Sequence, residues 1–167
     1  LITGDSVLDT GERSVNTQEL QAYLHEHIPL TQAMQISVLH ATADGVTLSA
    51  PLAPNINHQE TVFGGSASAV AILAAWALVH VRLRESGPDS RLVIQRNTIT
   101  YERPMTSGFT ARSSAPEPIQ WDTFIRTLER RGRARILIRS VLECDGKRAG
   151  ELEGEFVAFA ERRGEAR

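Results

Sequence analysis

The sequence has a single cysteine, Cys144, and no run of apolar residues long enough to cross a bilayer. A lone thiol forms neither an internal disulfide nor a thiolate metal cluster, and a reducing compartment is its simplest setting. The longest apolar run goes from Ala69 to Val79 and stops at His80, well short of the ~20 residues of a spanning helix. Charge of one sign is lacking too. With 18 basic and 20 acidic side chains the net charge is −2, which leaves no broad cationic field for nucleic acid. His or Cys pairs at metal-ligand spacing are absent, as are internal repeats and low-complexity tracts. The opening residues Leu1-Ile2-Thr3-Gly4-Asp5 have neither the basic nor the apolar region of a signal peptide. Without an initiator Met they read as the start of a piece of a longer chain. The expectation is a cytoplasmic domain with no membrane span, no nucleic-acid partner and no bound metal.

What is present is globular. The chain has 167 residues, 41% apolar and 23% charged, which fits one domain able to bury roughly 68–70% of its unfolded surface. Residues 1–15 are polar and aperiodic and are expected to form a loose arm; 16–160 form the domain and 161–167 a polar tail. A helix is expected from Asn16, with Glu19 placed for a capping box. Leu20, Tyr23, Leu24, His27 and Ile28 share one face, and Pro29 discourages continuation. Strands follow over 36–41 and 46–52, joined by Asp44-Gly45, with Val46, Leu48, Ala50 and Leu52 alternating against Thr47 and Ser49. Residues 66–85 read as a helix that is apolar almost all round, so other elements must surround it. Strands near 92–101 and 109–114 come next, then an amphipathic helix after Pro118 carrying Trp121, Phe124, Ile125 and Leu128 and ending at Gly132. Two last strands alternate apolar and charged residues about an Asp145-Gly146 turn. One greasy helix and about six strands predict an α+β hotdog fold, an antiparallel sheet wrapped around a long central helix.

The chemically informative stretch is Asn57-His58-Gln59-Glu60-Thr61-Val62-Phe63-Gly64-Gly65-Ser66. It sets an amide, an imidazole and a carboxylate just before two glycines and a helix start. A helix N-terminus offers unpaired N–H groups and about half a positive charge. Glycines leave room for a substrate oxygen to reach those amides, which suits a thioester carbonyl that becomes negative in the transition state. Ser66 is expected to be the helix N-cap. The other histidines, His25, His27, His40 and His80, and Cys144 are read as structural, and Arg130-Arg131-Gly132-Arg133 as a solvated helix end.

The run Asn57 to Ser68 resembles the signature of the YiiD C-terminal thioesterase family, a branch of the hotdog superfamily. Tyr101-Glu102-Arg103-Pro104 resembles the end of its third strand. The resemblance in element order runs from about Asn16 to Phe159. It implies a homodimer, or a tetramer built of dimers, with an acyl-thioester site between subunits, and in many relatives an acetyltransferase domain upstream. It implies as substrate the thioester of coenzyme A or of an acyl carrier protein, whose phosphopantetheine belongs to the substrate, so that no separate cofactor is expected. Asn57 matches the Asn that similar phenylacetyl-CoA-type thioesterases carry before the Gly-Gly turn. Their helical acid, however, falls here on Ile72. The expected catalytic set is therefore Glu60, His58 and Asn57, with Val62, Phe63, Gly64, Gly65 and Ser66 binding substrate. The rival readings are a non-catalytic acyl-thioester-binding or dimerisation module, and a hotdog dehydratase or hydratase using His58 and Glu60.

Overall fold

The computed structural model describes residues 16–161. The expected arm, 1–15, and the tail beyond Glu161 lie outside the described residues. The chain opens with α1 (Thr17–His27), and Asn16 caps it, its Oδ1 accepting from the Gln18 and Glu19 amides at 2.9 and 3.4 Å. Pro29 does not simply end this helix. It occupies the first turn of a second short helix, α2 (Pro29–Ala33), where a residue without N–H loses no bond. Strands β1 (Ser37–Ala41) and β2 (Gly45–Ala50) form the expected hairpin. After a polar loop comes α3 (Gly64–Ser86), then β3 (Ser90–Tyr101), β4 (Phe109–Ser114), α4 (Pro118–Arg131), β5 (Arg133–Cys144) and β6 (Lys147–Ala160).

The six strands make one antiparallel sheet in the order β1-β2-β4-β5-β6-β3, and α3 runs across one face of it. This is the hotdog arrangement. By length and composition α3 could cross a membrane, but Val70, Ala71, Ala74, Ala75, Leu78 and Val79 are fully buried inside the domain. It is the core helix. Two buried hydroxyls tie it to the sheet: Ser140 on β5 donates to the Ala71 carbonyl at 2.7 Å, and Ser113 on β4 shares a hydrogen bond with Ser140.

The opposite face of the sheet is solvated. Arg139 pairs with Glu153 at 2.8 Å, and Arg148 with Glu102 and Glu151 at 2.8 and 2.7 Å. Exposed pairs of this kind contribute about 0–1 kcal/mol each. The first half of β5 outruns β4, whose pairing stops at Ser113↔Ser140, and α4 packs against β5 with Trp121, Phe124 and Leu128 buried. Gly132, at φ 68°, is its left-handed cap, a conformation that costs glycine nothing. Asp145 and Gly146 both have positive φ, as a tight hairpin turn requires.

One strip of α3 stays half-covered: Ser68, Ile72, Trp76 and His80, at intervals of four residues. At its far end the Trp76, His80, Tyr23 and His27 rings stack in sequence, with centroids 4.7, 5.1 and 4.2 Å apart. The stack fastens α1 to α3. Burial, aided by the nearby Arg84 charge, lowers the His80 pKa to about 4. The unfolded chain therefore binds this proton more readily than the native one. The neutral imidazole contributes its full stabilisation above pH ~6.5, and that contribution is lost as pH falls towards 4. Allowing for screening by solvent, the loss should be about 1–2 kcal/mol. In thermal melts at stepwise lower pH, His80→Phe, which keeps a stacked ring, should flatten the fall in Tm between pH 6.5 and 4. Parallel curves for parent and variant would show that His80 does not carry it.

Candidate active site at the start of the central helix

The loop before α3 is a closed structure. Ile56 and Val62 bridge across it, and the Asn57 amide donates to the Thr61 carbonyl at 2.8 Å. Inside this turn Asn57 is fully engaged: its Nδ2 donates to Thr61 Oγ1 at 2.9 Å, and its Oδ1 accepts from the Gln59 and Thr61 amides at 2.8 and 3.2 Å. The side chain shapes the loop, and its polar atoms turn inwards. His58, Gln59 and Glu60 form the exposed tip. Glu60 sits at φ 59°, a left-handed conformation that costs a non-glycine residue roughly 1–2 kcal/mol. Its amide donates to the Asn57 carbonyl at 3.1 Å, so the turn itself holds it there.

The helix starts two residues before the sequence suggests. Phe63 is the N-cap, with no side-chain capping bond, and Ser66 lies within the first turn instead of capping it. The cap position is fixed from the other side, because the Phe63 amide donates to the Asn55 carbonyl at 2.7 Å and the Val62 amide to Met105 at 2.8 Å. Asn55 is itself buried, its Nδ2 bound to the Met34 and Pro51 carbonyls at 3.0 and 2.8 Å. The amides of Gly64, Gly65 and Ser66 have no protein acceptor among the described residues. They form a three-donor N-terminus on a 23-residue helix, the kind of end that attracts negative charge.

The two glycines serve aromatic neighbours. Neither has positive φ. A Cβ on Gly65 would lie 2.3 Å from Phe63 Cε1, and one on Gly64 would lie 3.3 Å from both Cζ and Oη of Tyr101. Each glycine therefore leaves space for a ring. Tyr101, the last residue of β3, donates its hydroxyl to the Gly64 carbonyl at 2.7 Å. Burial raises the phenol pKa above its ordinary value, with a hydrogen bond from Ser68 acting in the opposite sense. Phe63 is 56% exposed, whereas Val62 is 6% exposed and belongs to the core. Of that pair only Phe63 presents apolar surface beside the amides. Ile72, the position on which the helical acid of similar thioesterases falls, is a partly buried apolar residue packed on the core.

Sequence reasoning brought the loop, the glycines and the helix start together and missed Tyr101, which it read only as a strand end. The available signal was a glycine at the first helical position, since a glycine there without a positive φ implies a close neighbour. The end of β3 is held just as tightly. Gly150 of β6 faces Tyr101 in register, and a Cβ there would lie 2.5 Å from the Thr100 carbonyl oxygen. These contacts predict opposite responses. Gly65→Ala moves only an exposed ring and gains helix propensity, so its stability should stay within about 1 kcal/mol of the parent. Gly150→Ala must push the β3 and β6 backbones apart and should cost about 1–3 kcal/mol. Urea denaturation of the two variants measures the difference, and equal midpoints would contradict it.

A family model described as "Putative thioesterase (yiiD_Cterm)" matches residues 17–160. Among solved structures, a "putative thioesterase" from Shewanella oneidensis is 30% identical with a TM-score of 0.76, over 86% of this chain and 96% of that one. A protein of unknown function from Chlorobaculum tepidum is 26% identical with a TM-score of 0.82, over 87% and 94%. A thioesterase from Haemophilus influenzae shares the fold at 13% identity, with a TM-score of 0.70 over 92% and 98%. With nearly its whole length matched, the chain belongs to the YiiD C-terminal thioesterase family of hotdog proteins.

Proposed function

We propose that the protein hydrolyses an acyl thioester of coenzyme A or of an acyl carrier protein, with the carbonyl oxygen directed at the Gly65 and Ser66 amides. The observation that carries this reading is the uncapped first turn of α3, whose N–H groups have no protein acceptor among the described residues. Donors aimed at a developing oxyanion stabilise it without reorganisation. Phe63 lies against the acyl group. Glu60 takes a proton from water as the water oxygen attacks the carbonyl carbon. The tetrahedral oxyanion then collapses, the carbon–sulfur bond breaks, and the leaving thiolate recovers that proton. The products are a carboxylic acid and the free thiol of coenzyme A or phosphopantetheine, which enters as part of the substrate. Asn57 contributes by closing the loop that presents His58 and Glu60.

Support for Glu60 comes from its backbone. A left-handed position favours Gly or Asn, and a glutamate held at φ 59° is local strain of the kind that clusters at functional sites. Gln carries the same backbone cost without the base. Glu60→Gln should therefore leave the melting temperature unchanged and lower acyl-CoA turnover by about 10²–10⁴-fold. His58→Gln should leave most activity intact. A large loss in His58→Gln with normal Glu60→Gln would move the base to the histidine, and full turnover in both would overturn the loop assignment. A panel of acyl-CoA and acyl-carrier thioesters, followed by thiol release, tests the reaction itself. One observation favours a second reading, a non-catalytic acyl-thioester-binding module: Ile72 stands where similar thioesterases place an acid. Binding of the same panel without thiol release would select it.

The proposal includes a homodimer. β3 is 12 residues long and, among the described residues, pairs only with β6. Its other edge carries unpaired backbone groups of the kind that invite a second strand. The half-covered strip of α3 adjoins this strand, where the Trp76 indole N–H donates to the Leu92 carbonyl at 3.0 Å. Sedimentation at micromolar concentration should show a species at least twice the 18.4 kDa chain mass. A purely monomeric boundary would refute the dimer.

A further inference from the structure

The hydrolysis proposed above needs amide donors that are both fixed and polarised, and Tyr101, which lies outside the catalytic loop, bears on both. Its hydroxyl donates to the Gly64 carbonyl at 2.7 Å. That carbonyl and the Gly65 N–H are the two ends of one peptide group. A donor at the oxygen withdraws charge through the amide and makes the N–H a stronger donor, as in any chain of hydrogen bonds. We infer that Tyr101 is a positioning residue for the reaction: its hydroxyl holds the first turn of α3 and strengthens the Gly65 N–H that receives the thioester oxygen. The inference rests on the helix-start reading of the site.

Three features of the structure suit this role. Gly64 admits the phenol, because a Cβ there would press on Cζ and Oη at 3.3 Å. The Tyr101 backbone is anchored to β6: it pairs with Gly150, and the following Glu102 amide donates to the Ala149 carbonyl at 2.8 Å. The phenol is a donor at neutral pH, because its ordinary pKa of about 10 lies far above 7 and its partial burial raises it further. The Gly65 N–H, at the far end of the same peptide, has no protein acceptor among the described residues.

Removing a whole oxyanion donor typically lowers kcat by about 10²–10³, and cooperative strengthening adds roughly 10–30% to one bond. Losing that strengthening should therefore lower kcat by roughly 2–8-fold. The test is Tyr101→Phe, which keeps the ring, assayed with hexanoyl-CoA for thiol release and by ¹H–¹⁵N NMR of the Gly64, Gly65 and Ser66 amides. The expected result is a fall in kcat of that size with KM unchanged and an upfield move of the Gly65 amide proton larger than that of its two neighbours. Replacing Tyr101 with 3-fluorotyrosine, a more acidic phenol of similar size, should shift both readouts the other way. A merely structural strap would lower Tm or raise KM and leave kcat and the Gly65 resonance as in the parent, which would overturn the inference. If the parent releases no thiol from hexanoyl-CoA or from the wider panel, the hydrolase reading fails by itself. The Gly65 resonance then still decides for or against polarisation by Tyr101.

Discussion

The central helix has no polar face, and the fold is organised around that fact. A helix apolar on every side must be enclosed, and here the enclosure is a six-stranded sheet on one side with α1 closing some of the other. Burial of Val70, Leu78 and Val79 supplies non-directional attraction, and the Ser140 hydroxyl on the Ala71 carbonyl sets how far the helix slides along the sheet. Between the two ends of the helix, coverage is incomplete chiefly along the Ser68, Ile72, Trp76 and His80 strip. The site follows from the same geometry, because a helix buried along most of its length must bring its N-terminus out somewhere. It emerges between the closed loop and the end of β3.

At that point two requirements meet. The amides must remain unpaired to receive a ligand, yet the turn that bears them must not fray. Most helices settle this with a Ser, Asp or Asn cap, which would occupy the very donors in question. Here the fixing is done from behind, by the Phe63 amide on the Asn55 carbonyl and by the Tyr101 hydroxyl on the Gly64 carbonyl. Both bonds leave the front of the turn open. The aromatic neighbours also explain why glycine recurs at both positions without any left-handed backbone.

Much of this fold was legible in the sequence. Alternation over Val46, Leu48 and Ala50 and over Ile136, Ile138 and Leu142 marks half-buried strands, and all six residues are buried. Gly132 and Asp145-Gly146 stand where left-handed backbone is required. Boundaries were harder. Gly64 and Gly65 looked like loop because glycine is a poor helix former, and a ring from β3, 37 residues away in sequence, at Gly64 and the Phe63 ring at Gly65 show why the helix includes them. Pro29 looked like a stop because proline breaks helix interiors, while its tolerance in a first turn depends on where the neighbouring helix happens to end. The candidate loop was legible as chemistry, through Asn57, His58 and Glu60. How that chemistry divides between scaffold and reactive group was not. Asn57 faces inwards because Thr61 is four residues away across a closed turn, a distance that sequence spacing does not express.

The paired serines between β4 and β5 carry a consequence for how this chain can vary over time. Ser113 and Ser140 are both fully buried, and their hydroxyls form one relay ending on a helix carbonyl. Replacing Ser140 by alanine strands the buried Ser113 hydroxyl, whereas replacing Ser113 leaves Ser140 its bond to Ala71 and replacing both removes the demand together, and such losses are asymmetric in cost. Divergence at these positions should therefore change Ser113 first or both together. Among descendants of a common ancestor a polar residue at 113 should not stand opposite an apolar one at 140.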